Sequence, residues 1–200
     1  MNVRLQYDME FLAGIYYDQQ LHLNSYSITL NLITRSTNAS STNIAMDRLK
    51  AFVVTELANT VFVNQNNLEQ AEMLSVMGVN VTTLPEEPVD QIIGMMLYYK
   101  LNAIMEGRMT VDSLDLCSVL GDEVWYRHDE DDLAGPFAAE GWWHEPTTRH
   151  HDLGLDQSHD NVLKVMSDSW SEYGLQWLET TATTPTANTV VFANFQKNED

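Results

Sequence analysis

Between residues 25 and 120 the hydrophobic period of the chain switches repeatedly from two to about 3.6 and back, and this alternation narrows the possible folds more than any other feature. "SYSITLNLITRS" (25–36) is β-branched and apolar and runs into the polar "STNASSTN", which predicts a strand followed by a loop. That loop supplies Ser, Thr and Asn caps for a helix over about 43–59, with Met46, Leu49, Phe52, Val53 and Leu57 on one face. "TVFVN" (60–64) predicts a short strand, and "NLEQAEMLSVMG" a short helix capped by Asn67 and stopped by Gly78. "VNVTTL" follows as a strand. The longest helix is "PVDQIIGMMLYYKLNAIMEG", where Pro88 suits a first turn and Glu86, Glu87 and Asp90 favour the positive end of the dipole. Gly107 terminates it, and Val89, Ile92, Ile93, Met96, Leu97, Leu101 and Ile104 form its buried stripe. "SLDLCSVL" (113–120) returns as a strand. The expected fold class is α+β (or α/β), a mixed sheet with two main amphipathic helices packed on it.

The flanks are less regular. "VRLQYDMEF" alternates Val3, Leu5, Tyr7, Met9 and Phe11 with polar residues, so a strand is predicted there, with a helix through 8–19 as the rival. From Gly121 the chain loses both periods and becomes a long acidic, His- and Trp-rich loop region to about residue 160. Val162, Met166, Trp170, Tyr173 and Trp177 regain helical spacing, interrupted by Gly174, and "NTVVFANF" (188–195) reads as a closing strand. The expected organisation is one domain over 1–200: an α/β core at 25–120, the acidic insertion at 121–160, and a closing helix and strand at 161–200. There is no internal repeat.

Two hundred residues with 44% hydrophobic side chains are enough for one real core. The net charge of −19 is uneven, with five basic and ten acidic groups in residues 1–100 against five and nineteen in 101–200. A chain so poor in cations has little with which to displace counterions from a nucleic-acid backbone or to hold an anionic membrane, so neither is an expected partner. A basic or neutral protein partner fits the charge. The opening residues lack the apolar run of a secretory signal, and "IIGMMLYY" (92–99) is far too short to span a bilayer, so a soluble, cytoplasmic protein is expected. Lone Cys117 has no internal partner for a disulfide, in keeping with a reducing compartment, and the sequons at Asn38 and Asn80 are read as coincidental.

"PVDQIIGMMLYYKLNAIMEGR" followed by "LGDEVWYRHDEDD" resembles uncharacterised proteins encoded by T4-like tailed phages of the marine kind. The resemblance covers residues 88–132. No catalytic motif accompanies it, and it implies no role for any residue.

The chemistry-bearing residues concentrate downstream of that segment, five of the six histidines falling within 128–159. His144-Glu145 begins like a zinc-protease helix, but Thr148 stands where the second histidine belongs and Pro146 breaks the helix. The pairs His128-Asp129, His151-Asp152 and His159-Asp160 are of the type that metal-dependent phosphohydrolases use. A loop-built divalent-metal site would draw on His144, His150, His151, Asp152 and His159, with Glu145 as base. The competing reading is solvated, locally bonded histidines, and no cofactor is expected. Asp129, Asp131 and Glu140 fall at positions 1, 3 and 12 of a calcium-loop frame, yet Leu133 replaces the middle ligand and Gly135 comes one place late. Cys117 sits in an apolar strand as a small core residue. Trp125, Tyr126, Phe137, Trp142 and Trp143 suit either loop anchors or a stacking platform. No Walker loop, dinucleotide fingerprint, paired-cysteine zinc pattern or G-x-S-x-G is present. The sequence therefore favours a non-catalytic, acidic structural or protein-interaction protein, with a metal-dependent phosphoester hydrolase built on residues 144–160 as the alternative.

Overall fold

The computed structural model describes residues 3–132, 135–137, 170 and 173–177. The alternation that begins at Val3 gives way after Phe11 to the apolar run of residues 11–17, yet the first strand, β1, runs Arg4–Tyr17 through both stretches and excludes the rival helix. A two-residue turn reverses it into β2, Gln20–Thr34, and the pair stays in register from Tyr17 opposite Gln20 to Arg4 opposite Ile33. Both turn residues are left-handed, Asp18 at φ 48° and Gln19 at φ 60°, the conformation that matches the twist of a tight hairpin.

The loop after β2 caps α1, Ala39–Phe52, through the Asn38 side chain, which accepts from the Ser40 amide at 2.9 Å. The helix thus begins four residues before its expected start, because Asn38 rather than a later Ser or Asn caps it. Its last turn widens into a π-helical stretch, Val53–Leu57, where the Thr55 hydroxyl donates to the Ala51 carbonyl. β3 (Val61–Asn64), α2 (Leu68–Val76), β4 (Val81–Leu84), α3 (Asp90–Met105) and β5 (Met109–Ser118) follow. Pro88 lies before the first turn of α3 rather than in it. A last short strand, β6 (Tyr126–Asp129), occupies a stretch read from sequence as aperiodic loop, since Tyr-Arg-His-Asp has none of the β-branched residues that mark the equally short β3 and β4. The predicted helix from 162 and strand at 188–195 lie outside the described residues, apart from the aromatic positions at 170, 173 and 177.

The six strands form one mixed sheet in the order β4-β3-β1-β2-β5-β6. β1, β3 and β4 are mutually parallel, and the remaining pairs are antiparallel. The fold class is α+β, as expected. One face of the sheet carries α1 and α3 over a core of Phe11, Tyr26, Ile28, Leu30, Leu32, Phe62, Leu114 and Leu116. Alternation sends Val61, Val63 and Val81 to the opposite face, where Ala71 and Leu74 of α2 cover them. β3 and β4 are therefore buried throughout, whereas on the face of β1, β2 and β5 turned away from α1 and α3 Tyr16 packs against the α2 cluster and Cys117 is buried, but Leu12, Leu21 and Leu23 stay exposed.

Candidate functional site

All six residues of the expected metal or hydrolytic centre, His144, Glu145, His150, His151, Asp152 and His159, lie outside the described residues. So do Trp142, Trp143 and Glu140. Asp129 and Asp131 belong to a turn that bonds to itself: the Asp131 amide donates to Asp129, and the Asp129 amide to Asp132. Among the described residues no group of three or more His, Cys, Asp or Glu side chains is placed to hold a metal ion. Cys117 is buried in β5, and burial beside Glu123 and Asp90 pushes its thiol up, away from a reactive thiolate. Trp125 is exposed, and Phe137 is buried in the main core.

The buried ionisable groups of the body are tied into packing. Asp90 opens α3 and is bound to the end of β5 by the Ser118 hydroxyl, which donates to its two oxygens at 2.7 and 2.9 Å while accepting from the Gly121 amide. Burial raises the Asp90 pKa, and the Ser118 bond offsets part of that rise. His128 on β6 presses its ring against Gly94 of α3: a Cβ there would stand 2.5 Å from His128 Nε2. Burial lowers the pKa of this histidine against the pull of Asp132, Asp115 and Asp129. Arg48 on α1 is buried with its guanidinium 3.8 Å from the Trp177 ring and 5.0 Å from that of Trp170. It donates to Glu106 at 2.9 Å and to the Leu175 carbonyl at 2.8 Å, and Glu106 also accepts from the Trp177 indole at 2.7 Å. Arg108 covers the same indole at 4.3 Å, so a single contact set holds Trp170, Leu175 and Trp177 against the body.

The sheet face opposite α1 and α3 has a different character. On β1 the outward row is Gln6, Asp8, Glu10 and Leu12, and on β2 it is Leu21, Leu23, Ser25, Ser27 and Thr29, paired across the hairpin. The Val119 amide donates to the Ser25 carbonyl, which extends β5 beside β2 and brings Val119 to the same face. Leu12 is 63% exposed, Leu21 51%, Leu23 85% and Val119 61%. These four form an apolar patch that merges on β1 into the carboxylates of Glu10 and Asp8. On β5 the outward Asp115 is already neutralised by Arg127, whose guanidinium donates to both carboxylate oxygens at 2.7 and 2.9 Å. Sequence reasoning missed the patch because it began the second strand at residue 25. The alternation of Leu21, His22 and Leu23 was the available signal.

No family model and no curated protein matches the chain. Among solved structures it is similar to an uncharacterized protein from Wolinella succinogenes, at 11% identity and a TM-score of 0.48, over 66% of this chain and 99% of that one. It is also similar to a 6-pyruvoyltetrahydropterin synthase from Plasmodium vivax, at 10% identity and a TM-score of 0.41, over 64% of this chain and 97% of that one. At such identities no residue of this chain takes a role from either.

Proposed function

We propose that this protein is a non-catalytic interaction protein that receives a basic amphipathic segment of a partner on the face of its β1–β2–β5 sheet opposite α1 and α3. The observation that carries this reading is the juxtaposition of Leu12, Leu21, Leu23 and Val119 with Asp8 and Glu10 on that face. Exposed aliphatic groups clustered in this way gain about 25 cal/mol for each Å² they bury, which favours a partner over water. The neighbouring carboxylates select the partner's sign. A second copy of the chain would bring a like-charged row and a net charge of −19 against its own, whereas lysines and arginines on the polar flank of a helix would meet Asp8 and Glu10. A helix lying across the sheet, with leucines at i, i+3, i+4 and i+7, has the required geometry. Among the described residues no helix is long and apolar enough to cross a membrane.

The test is a titration with a Leu/Lys/Ala peptide of about five helical turns, against a scrambled peptide of the same composition. The ordered peptide is expected to bind saturably and to weaken as salt rises. Leu12→Thr with Leu23→Thr keeps strand propensity and removes about 2 kcal/mol of apolar burial, so affinity falls roughly tenfold or more. Equal binding of the scrambled peptide, or an unchanged affinity of the double variant, defeats the proposal. A dimer mass that the same double variant abolishes would assign the face to a second copy instead.

A further inference from the structure

A separate feature lies at the end of the sheet where β1, β3 and β4 all finish. β3 and β4 are parallel neighbours, yet the chain leaves β3 for α2 on one face and leaves β4 for α3 on the other. Adjacent parallel strands whose connections depart to opposite faces leave a crevice beyond their carboxyl ends, the place where open α/β sheets bind ligands. Here that crevice is a cleft of 550 Å³ lined by Tyr16, Asp18, Gln19, Asn67, Gln70 and Glu87. Its walls come from three connections: the β1–β2 turn, the start of α2, and the β4–α3 loop.

Its chemistry is one-sided. Two carboxylates, three carboxamides and a phenol ring line it, and no cationic side chain does. Glu87 is held in place by the Asn64 amide, which donates to Oε1 at 2.9 Å and leaves Oε2 for another donor. Asp18 comes to the cleft from the β1–β2 turn, which keeps two non-glycine residues left-handed, though Asn-Gly would make the same turn with less strain. An inorganic cation is a poor fit, since the cleft supplies only two acidic ligands and the described residues hold no three-ligand group. An organic ammonium group suits it better: it donates to carboxylates and amide oxygens, and an aromatic face adds to its binding.

We propose that this cleft binds a small alkyl di- or polyamine, with one ammonium on Asp18, another on Glu87, and the carboxamides around the chain between them. The proposal is independent of the docking face, because it rests on a different end of the sheet and on different residues. The probes are 1,4-diaminobutane and spermidine, titrated calorimetrically into the full chain, with butylamine as the single-charge control. One saturable site is expected, with the diamine binding at least tenfold more tightly than butylamine. Asp18→Asn, at an exposed turn, and Glu87→Gln should each weaken the diamine severalfold. Asp112→Asn combined with Glu130→Gln lowers the acidic charge elsewhere and should leave its affinity unchanged. Non-saturable uptake, parity between diamine and butylamine, or equal weakening by the Asp112/Glu130 variant would overturn the site and leave only bulk attraction to an acidic protein. Should Glu87→Gln fail to fold, the Asp18→Asn and Asp112/Glu130 comparison still decides.

Discussion

Lys100 shows how far this fold tolerates an unfavourable side chain. It lies on the buried side of α3, and its ammonium has no hydrogen-bond partner among the described groups. Burial lowers its pKa from 10.5 to about 8, and Glu56 on the π-helical turn resists that fall. The folded value lies below the unfolded one, so this lysine contributes stability above about pH 10.5 that is lost as pH falls through 8. At neutral pH the chain carries the full cost of a buried charge. Lys100→Met should therefore raise the unfolding free energy at pH 7 by about 2 kcal/mol, with the gain shrinking towards pH 10.5. Urea unfolding of both proteins at the two pH values measures this. A destabilised variant, or an equal difference at both pH values, would mean that the ammonium makes a contact that keeps it charged. Gly94 is a second residue-scale compromise. A glycine inside a helix costs about 1 kcal/mol relative to alanine, and the His128 ring packed against it is the physical reason for keeping it.

At the scale of elements, the β1–β2 hairpin organises the sheet, since both strands pair on either side and every other strand extends outward from them. Its turn is also its strained point, because Gln19 sits at φ 60° with a side chain that a left-handed residue carries only at a cost of roughly 1–2 kcal/mol. Gln19→Gly should raise the melting temperature by about 2–4 °C in a protein of this size, and a lower melting temperature would show that the glutamine side chain holds the turn. The same turn marks the limit of what the sequence displays. Elements from the strand at 25 to the strand ending at 118 are legible because the helices show an apolar period with a capping or stopping residue, such as Asn38 or Gly78, and the strands are runs rich in β-branched and apolar residues. Asp18-Gln19 lacks the glycine that signals a two-residue hairpin, so a helix across 8–19 competed with the strand. β6 is hidden because Tyr-Arg-His-Asp carries no β-branched residue, unlike the equally short β3 and β4. Asn67, expected to cap α2, makes no side-chain cap bond, and the Asn64 side chain instead accepts from the Asn66 amide at 2.8 Å. The two candidate sites argued from the structure were invisible for another reason: both depend on which strands lie side by side and which face each helix takes. Residue spacing along the chain carries neither.

For the whole molecule, layering decides where function can sit. α1 and α3 cover one face, α2 covers β3, β4 and Tyr16 of β1 on the other, and the Arg48–Glu106–Trp177 contacts fasten Trp177 to the α1–α3 side. The described residues thus leave Leu12, Leu21, Leu23 and Val119, with the carboxylates of Asp8 and Glu10 beside them, exposed on that other face. A net charge of −19 opposes association with like-charged copies, and under the proposed function it would favour a basic partner on that face. The most direct test of that account follows backbone amide resonances while the basic amphipathic peptide is added. The account predicts that the largest shifts fall at Leu12, Leu21, Leu23, Ser25 and Val119, with Asp8 and Glu10 next, while the amides of α1 and α3 stay in place. Largest shifts in α1 or α3, or shifts spread evenly over acidic residues throughout the chain, would contradict it.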